Sequence, residues 1–349
     1  MKRFVCACGS PVFFENSYCL ACDRPLGFDP ESLEMIPLES HGEGRYRDAR
    51  ASTTREFQHC RNRSEHDVCN WLLPAEAGRD FCVACRLNEV IPALETGKNQ
   101  LLWARLEAAK RRMIFDLLRL GLPLRQPDSV MMSFRFLEDQ RHNPNVSESF
   151  VVTGHMGGTI TINVAEADDS VRHAVREDMQ ERYRTLLGHF RHESAHFYFF
   201  PMVASDAEAL REFRGLFGDE RENYETAMGR FYEIKGTRIT WQGRYVSAYA
   251  SSHPWEDWAE TWAHYLHIRD TVETAVAWGV VPPPDTARDS DQWLDAWMDL
   301  SVILNELNRS MGTDDPYPFV LSPLVADKLS FVHRRVVPTP ADAATSATR

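Results

Sequence analysis

All eight cysteines of this 349-residue chain lie between Cys6 and Cys85, and none follows. So strong a skew does not arise from general core packing, and it assigns the cysteines to one N-terminal module. Within that module the chain runs as short apolar pieces broken by Gly, Pro and polar turns, with little helical period before about Ile91. A segment so small and loop-rich buries too little apolar surface to fold on its core alone, so metal or cross-links must supply the difference. The start, Met1-Lys2-Arg3-Phe4-Val5-Cys6, lacks the apolar run of a secretory leader, and no apolar stretch long enough for a membrane span occurs. A cytoplasmic setting is therefore expected, and there clustered thiols bind metal in preference to pairing with one another.

Cys6-Ala7-Cys8 and Cys19-Leu20-Ala21-Cys22 make one set of four. Cys82-Val83-Ala84-Cys85 takes Cys60 and Cys69, by elimination, as a second. Four thiolates close a tetrahedral site, so each set is expected to hold a structural zinc; a rubredoxin-like iron is the alternative, which the CxC spacing disfavours. Gly9 and Gly27 are expected to let the chain turn closely around the first metal. Such a module is either simply folded by its metal or also recruits a partner.

Beyond the module, a 43% hydrophobic content supports one substantial core. The formal charge of -12 argues against a nucleic-acid partner, although Arg45, Arg47, Arg50, Arg55, Arg61 and Arg63 make the stretch between the cysteine sets locally basic, and the lack of a long apolar run argues against a membrane. Apolar residues at Leu102, Leu106, Ala109, Met113, Leu117 and Leu120 predict a helix over 99–120, stopped by Gly121-Leu122-Pro123. Strands are expected over 130–137 and 159–164, with a turn at Gly157-Gly158 between them. Helices are expected over 171–200, ended by Pro201, and over 206–233, 254–277 and 292–311. The tail 338–349 reads as disordered. The fold class is α+β, mostly helical with a small sheet, with the cysteine module over 1–90 and the larger domain over 91–337.

The chemistry concentrates in His192-Glu193-Ser194-Ala195-His196. Residues four apart on a helix differ by about 40° and roughly 6 Å along the axis, a spacing at which two imidazoles reach one ion. Neutral imidazoles suit zinc. Glu193 lies about 100° further round, placed to take a proton from metal-bound water. Tyr183, Leu186, Leu187, Phe190 and Phe197 fall on the other side and predict the face that packs. Sixty residues on, roughly, a helix starting at Pro254 sets Glu256 and Glu260 four apart on one face. Two such acids either flank a helix N-terminus as a solvated pair, or divide their labour, one on the metal and one on a ligating imidazole. His253 is either a hydrogen-bond donor to the reaction centre or a turn residue. His189 is expected at the rim, His264 and His267 on a satisfied helix face, and Trp255, Trp258 and Trp262 in the core.

HESAH followed by EDWAE resembles the gluzincin metallopeptidases. The likeness implies that Glu256 is the third ligand of one catalytic zinc with His192 and His196, and that Glu260 supports a ligating histidine. The run from Tyr249 to Glu256 resembles the lethal-factor type of site, which implies that the Tyr249 phenol stabilises the oxyanion. Nearly the whole chain, through its CxC and CxxC, TGHMGGTITIN, HESAH and SAYASSHPWEDWAETWAHYLH, resembles bacterial zinc-binding metallopeptidases that carry an N-terminal zinc ribbon. That resemblance implies a double zinc ribbon over 1–90, a zincin-like domain over 91–337, and hydrolysis of peptide or protein substrates by a zinc-bound water with Glu193 as base. On the gluzincin pattern the strand over 159–163 would be an edge that aligns an extended peptide. The alternative function is a catalytically weak zinc-binding scaffold or adaptor that recruits a protein through its ribbons.

Overall fold

A computed structural model describes residues 2–50, 55–173, 185–233, 241–284 and 290–337; the expected disordered tail lies outside them. The chain divides into two compact units, one of Lys2–Arg125 with Val130–Arg172, the other of Gln126–Ser129 with the chain from His173 onward.

In the first unit, β1 (Phe4–Val5) and β2 (Pro11–Val12) form a short hairpin between the first cysteines. An antiparallel meander of five strands follows: β3 (Leu26–Asp29), β4 (Glu34–Ser40), β5 (Arg45–Asp48), β6 (Phe57–His59) and β7 (Leu72–Pro74). Little in the residue pattern marks this sheet. Its strands are short, and β3 is buried at every residue, so no in–out alternation marks it. Gly27 sits inside β3 rather than at a turn. A Cβ there would lie 2.4 Å from the Leu72 side chain, so the missing side chain serves strand packing. Gly9, with φ of 86°, does turn the chain at the first cysteine set.

A second sheet has the order β10 (Gly154–Met156), β11 (Thr159–Asn163), β9 (Ser133–Leu137) and β8 (Asn88–Val90), with β9 parallel to both neighbours. Gly157 and Gly158, both at positive φ, make the β10–β11 turn. Because β11 pairs with β10 on one side and with β9 on the other, it is an interior strand and not the peptide-aligning edge expected of it. The helix Asn99–Arg119 brings Phe115 to 5.1 Å from Phe14 and 5.5 Å from Phe28. Through that contact and the β8–β9 pairing, the boundary expected at residue 90 falls inside the first unit.

The second unit is built of helices. The motif helix Leu186–Phe199 begins where the Thr185 side chain accepts a hydrogen bond from the Gly188 amide at 2.9 Å. It gives way to a π-helical turn, Phe200–Ala204, at Pro201, which has no N–H to continue the ladder. Residues 174–184 of the expected helix, Tyr183 included, lie outside the described residues. The single helical region expected over 206–233 is two helices, Ala207–Phe217, capped by Asp206, and Tyr224–Glu233, parted at Gly218 with φ of 108°. The ligand helix Pro254–Ala277 opens on proline in its first turn, as expected. Ser290–Ser310 follows. A last helix, Pro323–Val336, was not anticipated, although Ser322 caps it and Val325, Leu329, Val332 and Val336 are buried at helical spacing. Among the described residues no helix is long and apolar enough to cross a membrane.

The two functional helices are joined through indoles. Trp258 and Trp262 are fully buried, and Trp258 lies 6.0 to 6.4 Å from the rings of Phe199, Phe213, Phe217 and Phe331. Its Nε1–H donates to the Ala195 carbonyl at 2.9 Å, and that of Trp262 to Ser194 Oγ at 3.1 Å. Trp258→Ala is therefore expected to lower the unfolding free energy by about 3–5 kcal/mol, read from the shift of the urea midpoint. A loss under about 1 kcal/mol would deny this indole its place at the centre of the unit.

Candidate metal centre

The motif helix presents His192 and His196 with ring centroids 5.3 Å apart. The ligand helix meets them with Glu256, and the nitrogen and oxygen atoms of the three lie within 4.8 Å of one another. His192 Nε2 is 3.0 Å from Glu256 Oε2, while His192 Nδ1 is 2.7 Å from Glu260 Oε1. His196 Nε2 is 4.0 Å from Glu256 Oε1. Glu260 is held on its far side by Ser247, whose hydroxyl donates to Oε2 at 2.6 Å. Glu260 is thus placed to fix the His192 tautomer, with Nδ1 protonated and Nε2 turned toward Glu256.

The electrostatics follow from crowding acids around one imidazole. Burial alone would lower the pKa of His192, but its hydrogen bonds to Glu256 and Glu260 outweigh burial and hold it well above the usual histidine value. Burial likewise pushes Glu256 up, and the hydrogen bond and charge of His192 bring it down to about 2. Burial pushes Glu193 up to about 7 against the charge of His192, and its Oε2 has no hydrogen-bond partner among the described residues. The donor set fits a divalent cation on these grounds: two imidazoles and a carboxylate converge, and a further carboxylate holds His192 by its Nδ1.

Around this core the other expected residues are variously placed. The Tyr249 ring is 5.9 Å from that of His192 and 6.0 Å from that of Phe231. His253 uses both nitrogens on the backbone: Nδ1 accepts from the Trp255 amide and Nε2–H donates to the Glu222 carbonyl, each at 3.0 Å. Its place is therefore the turn and helix cap, one of the two roles foreseen for it. His264 is buried and bonded to the Tyr317 hydroxyl, a satisfied helix residue. Trp255 is a correction, since it is 39% exposed instead of core and its ring stands 5.5 Å from His196. Tyr224 was missed. Its hydroxyl donates to Glu256 Oε1 at 3.0 Å, across a separation in sequence that no local pattern encodes.

The cysteines are unbridged and gather in the two expected sets, Cys6, Cys8, Cys19 and Cys22, and Cys60, Cys69, Cys82 and Cys85. In the first, Cys6–Cys22 and Cys8–Cys19 sulfurs are 3.8 and 3.7 Å apart, and Cys8 and Cys22 are exposed. In the second all four are buried, and the amides of Trp71, Cys82 and Cys85 donate to the sulfurs of Cys69, Cys60 and Cys82, each at 3.4 Å. Amides aimed at sulfur favour thiolates, so this set also fits a cation. The basic stretch between the sets is neutralised where it stands. Arg45 and Arg47 pair with Glu56, Arg50 with Asp48, Arg55 with Asp29, Arg61 with Glu65 and Arg63 with Asp67.

Residues 99–335 match the model of a family described as "Putative zinc-binding metallo-peptidase", and residues 3–96 match that of a zinc-ribbon domain. Uncharacterized proteins of Mycobacterium bovis and Mycobacterium tuberculosis are 39% identical over 346 residues, which is 95% of this chain and 94% of theirs. No solved structure matches the chain. For the buried cysteine set, Cys82→Ser is expected to remove about one equivalent of zinc per chain by elemental analysis and to destabilise the first unit. Unchanged zinc content in that variant would strike this set from the metal sites.

Proposed function

This chain belongs to the zinc-binding metallo-peptidase family whose model it matches, and from that premise we propose that it hydrolyses peptide bonds at the centre formed by His192, His196 and Glu256, in the manner of gluzincins and on a zincin-like domain. The observation that carries the reading is the state of Glu193. A carboxyl buried with an oxygen unpartnered costs stability. Asp257 shares that state but is paired with Lys328, whereas Glu193 stands between His192 and His196, where a base poised near neutral pH beside a cation site explains it.

His192, His196 and Glu256 would hold a catalytic zinc, and the two cysteine sets would hold structural ones. When bound at the histidine site, zinc supplies a Lewis acid that polarises the scissile carbonyl and acidifies the attacking water. Glu193 takes the proton of that water on its carboxylate and delivers it to the amine nitrogen as the C–N bond breaks, returning to its ionised form. Tyr249 donates its phenol hydrogen bond to the carbonyl oxygen as negative charge develops there. Burial, with the charge of Glu256 behind it, raises the Tyr249 pKa and keeps that proton in place. Glu260 holds His192 in the tautomer that leaves Nε2 for the metal. Peptides or proteins are the substrates on this reading.

Glu193→Gln is expected to retain its zinc and to lose about 10²–10⁴-fold in kcat, followed by mass spectrometry on a broad peptide library with and without chelator. Full activity in the variant, or cleavage indifferent to the chelator, would sink the assignment. Tyr249→Phe is expected to lose about 10²–10³-fold in kcat with little change in KM; an unaltered kcat would reduce the phenol to packing.

A further inference from the structure

Glu256 divides its two oxygens. Oε2 faces His192 Nε2 at 3.0 Å, whereas Oε1 accepts the Tyr224 hydroxyl at 3.0 Å. Tyr224 opens the helix Tyr224–Glu233 and reaches the carboxylate with 41% of its surface still exposed, so core packing does not account for its position. Its ring is set edge-on to His253 at 5.3 Å. His253 is itself pinned at both nitrogens, to Trp255 and to Glu222, which fixes the tyrosine against an immobile partner. A phenol has one proton, and that of Tyr224 goes to the carboxylate.

We propose that Tyr224 is a positioning residue of the metal centre, one that fixes the carboxylate of Glu256. By occupying Oε1 it leaves Oε2, on the side of His192 Nε2, as the oxygen offered to the cation. One side chain then sets how the carboxylate ligates. The proposal rests on the reading that His192, His196 and Glu256 hold zinc.

Tyr224→Phe keeps the ring and removes the hydroxyl. Zinc affinity is measured by chelator competition, with His196→Ala marking which of the bound ions belongs to this centre. The expected result is a loss of about 10-fold or more in affinity at this centre, with the melting temperature of the zinc-free protein unchanged and kcat lowered at saturating zinc. Tyr249→Phe should lower kcat without the loss of zinc affinity. Wild-type zinc affinity in Tyr224→Phe would overturn the proposal, as would a loss of affinity matched by a fall in the stability of the zinc-free protein. A wild-type chain that binds zinc here but cleaves no peptide would overturn the hydrolase reading, and the affinity difference would still decide the role of Tyr224.

Discussion

The centre depends on the register between two helices, and that register is fixed by two buried indole N–H groups. Trp258 and Trp262 stand one turn apart on the ligand helix and reach Ala195 and Ser194 on the motif helix. A buried donor left without its acceptor costs about 1–3 kcal/mol, so sliding either helix past the other unpairs both. The same residues are interleaved with the residues of the centre: Ser194 and Ala195 lie between His192 and His196, and Trp258 lies between Glu256 and Glu260. Apolar packing and the convergence of His192, His196 and Glu256 are therefore set by one interface. Donor groups carried by elements that do not slide keep their mutual distances.

Around this interface the acids in the first turns of the helix Pro254–Ala277 are each tied to a named partner. Tyr224 attends Glu256, Ser247 attends Glu260, and His192 serves both acids. On another side of the ligand helix, Asp257 meets Lys328 Nζ at 2.5 Å, and that ammonium also donates to the Arg244 carbonyl. Burial still pushes Asp257 up to about 7 against the pull of Lys328. The first turns of one helix thus set three acids in three settings, Glu256 and Asp257 buried and Glu260 partly so, and each has a partner on at least one oxygen. Among the described residues Asp257 Oδ1 and Glu193 Oε2 are both left open, but only Glu193 stands between the two histidines, where an open oxygen can exchange a proton with something that comes and goes.

What could be read from the sequence was what local spacing encodes. His192 and His196, or Cys82 and Cys85, sit within one turn of chain, so their convergence follows from backbone geometry. Glu256 and Glu260 gained their assignment from resemblance, because their meeting with His192 spans more than sixty residues, roughly. Tyr224 had neither a local pattern nor a quoted likeness, and its role comes only from how two helices are parted at Gly218. Trp255 was misread because spacing with Trp258 and Trp262 gives no angle: three residues along, the ring faces His196 and solvent instead of the aromatic core. The five-stranded meander escaped because its strands are short and β3, buried at every residue, shows no alternation. The helix Pro323–Val336 carried readable signals in Ser322 and Pro323, and it supplies Lys328.

The two cysteine sets, alike in sequence, differ in how their charge is managed. Four thiolates around a divalent cation leave a net charge of about -2. At the first set, exposed Cys8 and Cys22 leave that charge to water. At the second every sulfur is buried, and the compensation comes from the helix Asn99–Arg119. Arg111 is buried there, donates to the Val68 carbonyl, and is held above its ordinary pKa because the charges of Cys69, Glu107, Cys85 and Cys82 outweigh its burial. Glu107 sits 3.7 Å from Cys85 Sγ and is paired in turn with buried Lys110. A family model that begins at residue 99 and a ribbon model that ends at residue 96 divide these groups between two names. The electrostatics do not divide them, since a buried tetrathiolate without Arg111 would be an unpaired charge in a medium that tolerates none.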